Sequence, residues 1–251
     1  MKYWFYVEGD SECYLVEWLI RKYFHNVILF PNLIDFVRDG SGNNICYIHN
    51  CGSVSKVPYE VSERNHWVER SGANAIIIIC DIEADLNCPI ERRKKILDVM
   101  QEVKESTLPP VDEDKLKFVF CDPTIEDIYC SHVEVTKNVL VKLYKRKFNE
   151  DIKSIDSSIL NNNKSPVFRI KSFFLSHGLT YKETEFAENF FPQLDYEASE
   201  NKTIKRLLEM AKKNISRVFI KLCQHKFISA LNLNVHQNKS GAVMLSVPNY
   251  A

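Results

Sequence analysis

Residues 2–24, KYWFYVEGDSECYLVEWLIRKYF, decide how the rest of the chain is read. The run Tyr3-Trp4-Phe5-Tyr6-Val7 is apolar, aromatic and too short for a helix, which predicts a buried strand. An acidic turn follows, Glu8-Gly9-Asp10-Ser11-Glu12. Beyond it, apolar residues recur at Cys13, Val16, Leu19, Ile20, Tyr23 and Phe24, the spacing of a helix from about Ser11 to His25. Gly9 is expected to let the backbone turn sharply, and Asp10 or Ser11 to cap the helix. Glu8 then stands at the carboxyl end of the strand and Glu12 in the first helical turn, on the rim where open α/β sheets bind ligands. Taken alone, such a turn has a structural explanation, because acids favour helix N-termini through the backbone dipole. Its weight comes from recurring at two further strand ends.

The clearest of these is Ala75–Cys80, AIIIIC, continuous and β-branched like a central parallel strand, with Asp81-Ile82-Glu83-Ala84-Asp85 directly after it. Leu116–Cys121 is the other, followed by Asp122-Pro123-Thr124-Ile125-Glu126-Asp127. Val27–Phe30 is a short apolar run stopped by Pro31, and Ile45–His49 reads as a strand. Helices are predicted over Pro58–Glu69 and from Pro89 to about Glu105. Alternation of strands and helices through residue 130 predicts an α/β fold with a mostly parallel sheet flanked by helices. From Val133 the pattern changes. Val139–Tyr144, Val167–Leu175, Ile204–Met210 and Val218–Leu231 look helical, while Val235–Ala251 takes no assignment. The organisation expected is a catalytic domain over 1–130 and a mainly helical C-terminal extension or cap over 131–251.

With 251 residues, 45% hydrophobic and 26% charged, the chain has ample core for one large or two small domains. No run approaches the roughly 18 apolar residues of a membrane span. The N-terminus runs into the first strand without a cleavage site of small residues, so a cytoplasmic protein is expected. Cys80, Cys121, Cys13 and Cys223 fall in strand-like or helical patterns and read as small buried hydrophobes in a reducing compartment. Cys46, His49, Cys51 and His66 could be drawn as a zinc site, but no CxxC pair supports one. Net charge is zero, yet residues 1–130 carry 14 Lys+Arg against 22 Asp+Glu and residues 131–251 carry 19 against 11. The acids gather where the chemistry is placed, and the cations in the half that could hold a polyanion or simply present a solvated basic face.

If the three strands are neighbours, their terminal acids converge at one sheet edge. Asp81 and Glu83 are two apart, so on extended chain they face one side, and Thr124 and Glu126 share that spacing. Converging carboxylates repel and raise one another's pKa values unless a cation sits between them. All-oxygen ligands select hard cations such as Mg²⁺ or Mn²⁺, and two such ions can clamp a phosphodiester displacement. For Asp10, Asp122 and Asp127 the simpler expectation is a loop acid in water.

Glu8-Gly9 in a strand–turn–helix setting, followed by Asp81-x-Glu83 after the strand AIIIIC, resembles the Toprim domain of topoisomerases, bacterial primases, small ribonucleases and OLD-family nucleases. The OLD-like branch fits best, through Glu8-Gly9-Asp10-Ser11-Glu12 and through Thr124-Ile125-Glu126 in the place of a Ser-x-Glu motif. The chain departs from the family pattern by Glu for Asp at positions 12 and 83 and by Thr124 for Ser. The resemblance covers about residues 1–130 and implies a Toprim-like Rossmannoid core. It further implies metal-dependent nucleic-acid cleavage with two Mg²⁺ or Mn²⁺ ions held by Glu8, Glu12, Asp81, Glu83 and Glu126, with Thr124 assisting and Asp85 as an extra ligand. Lys164, Arg169 and Lys171 are candidates for gripping the nucleic-acid phosphate. No G-x-x-x-x-G-K-[ST] loop occurs, so an ATPase of the OLD type would be a separate subunit. Stand-alone proteins of this kind resemble effectors of bacterial anti-phage defence. Two other readings stay open: a catalytically silent Toprim-fold binding or regulatory subunit, and a phosphatase-like enzyme with Asp81 as nucleophile.

Overall fold

The structure, a computed structural model, describes residues 1–23, 27–41, 43–82, 89–106, 111–122, 124–210 and two late strands. It forms two compact units, Met1–Leu207 and Leu208–Ala251. In the first, five strands build one sheet: β1 (Lys2–Val7), β2 (Val27–Phe30), β3 (Asn44–Asn50), β4 (Ala75–Asp81) and β5 (Leu116–Cys121). Their spatial order is β2-β3-β1-β4-β5 and every pairing is parallel. The expected α/β class with a parallel sheet is therefore the one observed.

A parallel sheet must be covered on both faces, and the side chains divide accordingly. Trp4, Tyr6, Ile76, Ile78, Cys80, Leu116 and Phe118 pack on one face with α3 (Val57–Ser71) and α4 (Pro89–Ser106). Alternation along the strands sends Phe5, Val7, Ile77, Ile79 and Val119 to the other face, where all are buried. That face receives α1 (Asp10–Tyr23). The buried stripe of α1 is Leu15, Val16, Leu19 and Ile20, headed by Ser11 and Glu12. Cys13 and Tyr23, expected on the apolar face, are only half-buried.

Some elements exceed the sequence expectation. The short helix α2 (Leu33–Arg38) is started by Asn32, whose side chain accepts from the Asp35 N–H at 2.9 Å. After β5 come α5 (Glu126–Ser131) and α8 (Glu183–Phe190), besides α6 (Val133–Phe148), α7 (Pro166–Ser176) and helical residues 202–207, which stand where helices were expected. Of these, α8 packs on α1. The segment after it is tied there too, by Lys22 donating to the Leu194 carbonyl at 2.7 Å.

In the second unit, β6 (Asn234–Gln237) and β7 (Val243–Ser246) form an antiparallel pair in the stretch that took no sequence assignment. The helix expected over Val218–Leu231 lies outside the described residues. No described helix is long and apolar enough to cross a membrane.

Ile78 is fully buried at the centre of the sheet, paired with Tyr6 and Phe118. Ile78→Ala is expected to destabilise the fold by about 3 kcal/mol. Urea unfolding would show this as a lower midpoint with an unchanged slope, and a loss under about 1 kcal/mol would contradict the packing described.

Candidate metal centre at the carboxyl edge of the sheet

β1 and β4 are neighbours, and the chain leaves them in opposite directions, through α1 toward β2 and through α4 toward β5. A parallel sheet opens a crevice at the carboxyl ends of such a pair. Glu8 follows β1 and Asp81 closes β4. The Glu8 N–H donates to the Ile79 carbonyl at 3.1 Å, and the Asp81 N–H donates to Glu8 Oε2 at 2.8 Å. Glu8 is thereby fixed across the crevice mouth.

Helical periodicity carries Glu12 to the same place. It lies one turn before Leu15 and Val16, so the register that buries them buries it as well, to 2% exposure. The Gly9 N–H donates to Glu12 Oε2 at 3.0 Å, while the Cys13 N–H donates to the Gly9 carbonyl at 3.2 Å. Gly9 is thus the N-cap, and Glu12 supplies the acid half of a capping box. This corrects the expectation that Asp10 or Ser11 caps. Asp10 instead accepts from Asn50 at 2.8 Å and from Thr184 at 3.2 Å. The role of Gly9 differs as well. Its φ is not in the left-handed region, but a Cβ there would come within 3.3 Å of Glu12 Oε2. The glycine makes room for the carboxylate.

The third component is a thiol. Register pairs Asp81 with Cys121, and partners in a parallel ladder project from the same face. One ligand atom from each of Glu12, Asp81 and Cys121 lies within 4.8 Å of the others.

Electrostatics make this a strained assembly. Burial pushes the Glu12 carboxyl up to about 8, with the charges of Glu8 and Glu183 acting in the same direction. Burial also raises Asp81 well above the carboxylate range, reinforced by Glu12, Glu8 and Glu126. The Ile125 N–H, donating to Asp81 Oδ1 at 3.0 Å, opposes this. Glu126, 6% exposed, is raised by burial and eased by the neighbouring Thr124 hydroxyl. It sits in the first turn of α5 rather than on extended chain, so the spacing argument for Thr124 and Glu126 does not describe their geometry.

Of the hydroxyls buried around these acids, that of Tyr181 has no partner, those of Ser11 and Tyr129 reach only each other, and that of Thr124 reaches Glu126. Tyr129 and Tyr181 both feel the charges of Glu12 and Glu126. Buried polar groups are ordinarily partnered. An unpartnered hydroxyl near carboxylates too buried to stay charged unaided is what a divalent cation with its water shell would satisfy. On that test the residues fit a metal ion.

The remaining sequence candidates are distributed differently. Glu83 and Asp85 lie outside the described residues. Lys171 is exposed on α7, and its charge acts on Glu126. Lys164 is exposed in the turn before α7. Arg169 donates to the Leu160 carbonyl at 2.7 Å and pairs with Asp127 at 3.5 Å. Asp127 also accepts from Asn201, so it is a paired acid and not the water-facing loop residue expected. His49 is engaged by Glu60 and Arg64. Sequence reasoning missed three neighbours of the acids. Cys121 would have followed from sliding LKFVFC against AIIIICD until the strand ends matched. Tyr181 and Glu183 arrive from the second half of the chain, and no local motif marks them.

No family model and no curated protein sequence matches the chain. Among solved structures, it is similar to the C-terminal region of the OLD protein of Xanthomonas campestris pv. campestris. That match has a TM-score of 0.43 and 13% identity, over 86% of this chain and 97% of that one. A likeness of this size assigns no activity.

The raised carboxyls set a sign for pH dependence. Between about pH 4.5 and about pH 8 the unfolded chain has ionised Glu12 while the folded protein still holds its proton. The folded state binds the extra proton, so without divalent cations stability falls as pH rises through this window, by about 1.4 kcal/mol per pH unit for each such proton. Thermal melts in chelator should show it, and Glu12→Gln should flatten the slope. A melting temperature that climbs across the window would contradict the protonated cluster.

Proposed function

We propose that the chain is a divalent-metal-dependent endonuclease that hydrolyses nucleic-acid phosphodiester bonds with Mg²⁺ or Mn²⁺. The observation that carries this reading is the convergence of Glu12 and Asp81 at the carboxyl edge, within 4.8 Å of each other and of Cys121. Glu8 acts electrostatically on both carboxyls and Glu126 on Asp81. The sequence resemblance to OLD-like Toprim nucleases supports the same chemistry.

A bound ion supplies Lewis-acid polarisation of the phosphate and a more acidic water. Glu12 and Asp81 would hold the first ion, with Glu8 locking the Asp81 backbone in place. Glu126, with Glu83 and Asp85, would complete a second position, and Thr124 would orient Glu126. Lys171, whose charge acts on Glu126, would offset phosphate charge, and Lys164 would add to that basic approach. In this reading a separate ATPase subunit controls the nuclease as an effector of anti-phage defence.

One set of contacts favours a second reading, a catalytically silent module. Each central carboxylate already serves the fold. Glu12 caps Gly9, Glu8 holds the Asp81 N–H and Asp81 holds the Ile125 N–H. A carboxylate has about four acceptor sites, so these bonds leave capacity for a cation without demanding one.

Cleavage of supercoiled plasmid, single-stranded DNA and RNA in Mn²⁺ or Mg²⁺ separates the two. The nuclease reading expects cutting that chelator abolishes and that Asp81→Asn lowers by about 100-fold or more, with the circular dichroism spectrum unchanged. Cutting that survives Asp81→Asn would overturn it. Metal binding without cutting on any substrate would favour the silent module.

A further inference from the structure

We propose that Cys121 makes the rim a site for a thiophilic divalent cation of the Zn²⁺ class, held by the Cys121 thiolate with Glu12 and Asp81, in competition with Mg²⁺ or Mn²⁺. The inference rests on reading the rim as a metal site and not on phosphodiester cleavage.

The donor set is the first ground. Among the described residues, Glu12, Asp81 and Cys121 are the one group of three ligating side chains brought within reach of a single ion. Five other described cysteines are free and stand in no such group. Hard cations take oxygen and leave thiols aside, whereas Zn²⁺, Co²⁺ and Cd²⁺ accept sulfur and carboxylate oxygen together. The Cys121 thiol hydrogen-bonds to Asp81, so its sulfur already stands at the carboxylate.

Geometry is the second. Zn–S is about 2.3 Å and Zn–O about 2.0–2.2 Å, so ligand atoms of a tetrahedral site stand about 3.5 Å apart. Atoms already within 4.8 Å need to close by only about an ångström. Three protein ligands would leave the fourth position open to water or substrate oxygen. The third ground is independent of the thiol. The Tyr181 hydroxyl is buried without a partner and feels the charges of Glu12 and Glu126, and the fully buried Ser11 and Tyr129 hydroxyls reach only each other. They offer second-layer hydrogen bonds that would orient water or carboxylate around such an ion.

The binding step balances simply: the cation forms a bond to sulfur, and the thiol proton leaves to solvent. An ion so held occupies the position a hard cation needs. Zn²⁺ would therefore act as a brake on a Mg²⁺- or Mn²⁺-dependent activity.

The test uses the full chain with Co²⁺ as optical probe, Mn²⁺ followed by electron paramagnetic resonance, and Zn²⁺ as competitor. The proposal expects a thiolate-to-Co²⁺ charge-transfer band in the near ultraviolet and displacement of both ions by Zn²⁺. In Cys121→Ser the band should vanish and the Zn²⁺/Mn²⁺ affinity ratio should drop about tenfold or more. Cadmium NMR on the unaltered chain reads sulfur ligation without any substitution, should Cys121→Ser fail to fold. Mn²⁺ binding with no band and no sulfur-ligated cadmium signal would overturn the proposal while leaving the nuclease reading intact. A band that survives Cys121→Ser would place the thiolate elsewhere and overturn it too. The band without any Mn²⁺ binding would uphold the thiophilic site and count against the nuclease.

Discussion

Packing of α1 on the sheet is the constraint from which the rest follows. Leu15, Val16, Leu19 and Ile20 must be buried, and helical geometry then leaves no choice about Glu12. A carboxyl group enters the interior at the one sheet edge where β4 already ends in Asp81 and β5 in Cys121. Burying two carboxylates side by side is unfavourable in either protonation state unless something compensates. Backbone N–H groups from Gly9 and Ile125 compensate in part. The raised pKa values show that this falls short, and a proton or a cation must supply the remainder.

Much of the fold was legible because it obeys strong local rules. AIIIIC could be little but a central parallel strand, and β5 begins and ends where its apolar run does. Crossovers from strand to helix follow from the alternation of patterns. What was not legible depends on partners distant in sequence. The apolar stripe of α1 was read correctly at Val16, Leu19 and Ile20, while Cys13 and Tyr23 were included and Leu15 was missed, because the sheet decides which flank of the stripe is covered. α8 gains its burial from α1 and the aromatic cluster of Tyr129, Phe186 and Phe190, and nothing within Glu183–Phe190 advertises that.

The site divides in the same way. Glu8, Glu12, Asp81 and Glu126 were identified as acids at strand ends, and the structure brings their charges to bear on one another. Their individual hydrogen-bonding roles were not visible. Gly9 looked like a turn residue and proves to be a space for Glu12. Cys121 looked like a small core residue, because its nearness to Asp81 comes from pairing β5 against β4, which reading one strand at a time does not show. The charge asymmetry between the halves takes a local form: Lys171 lies near Glu126, while Arg169 is occupied with Leu160 and Asp127.

The central claim is that the buried acids at this edge share a divalent cation. Anomalous diffraction from a crystal soaked in Mn²⁺ tests it most directly. The account predicts a peak about 2.0–2.2 Å from carboxylate oxygens of Glu12 and Asp81. A crystal with no peak there, in which the two carboxyls instead share a proton in a direct hydrogen bond, would contradict it.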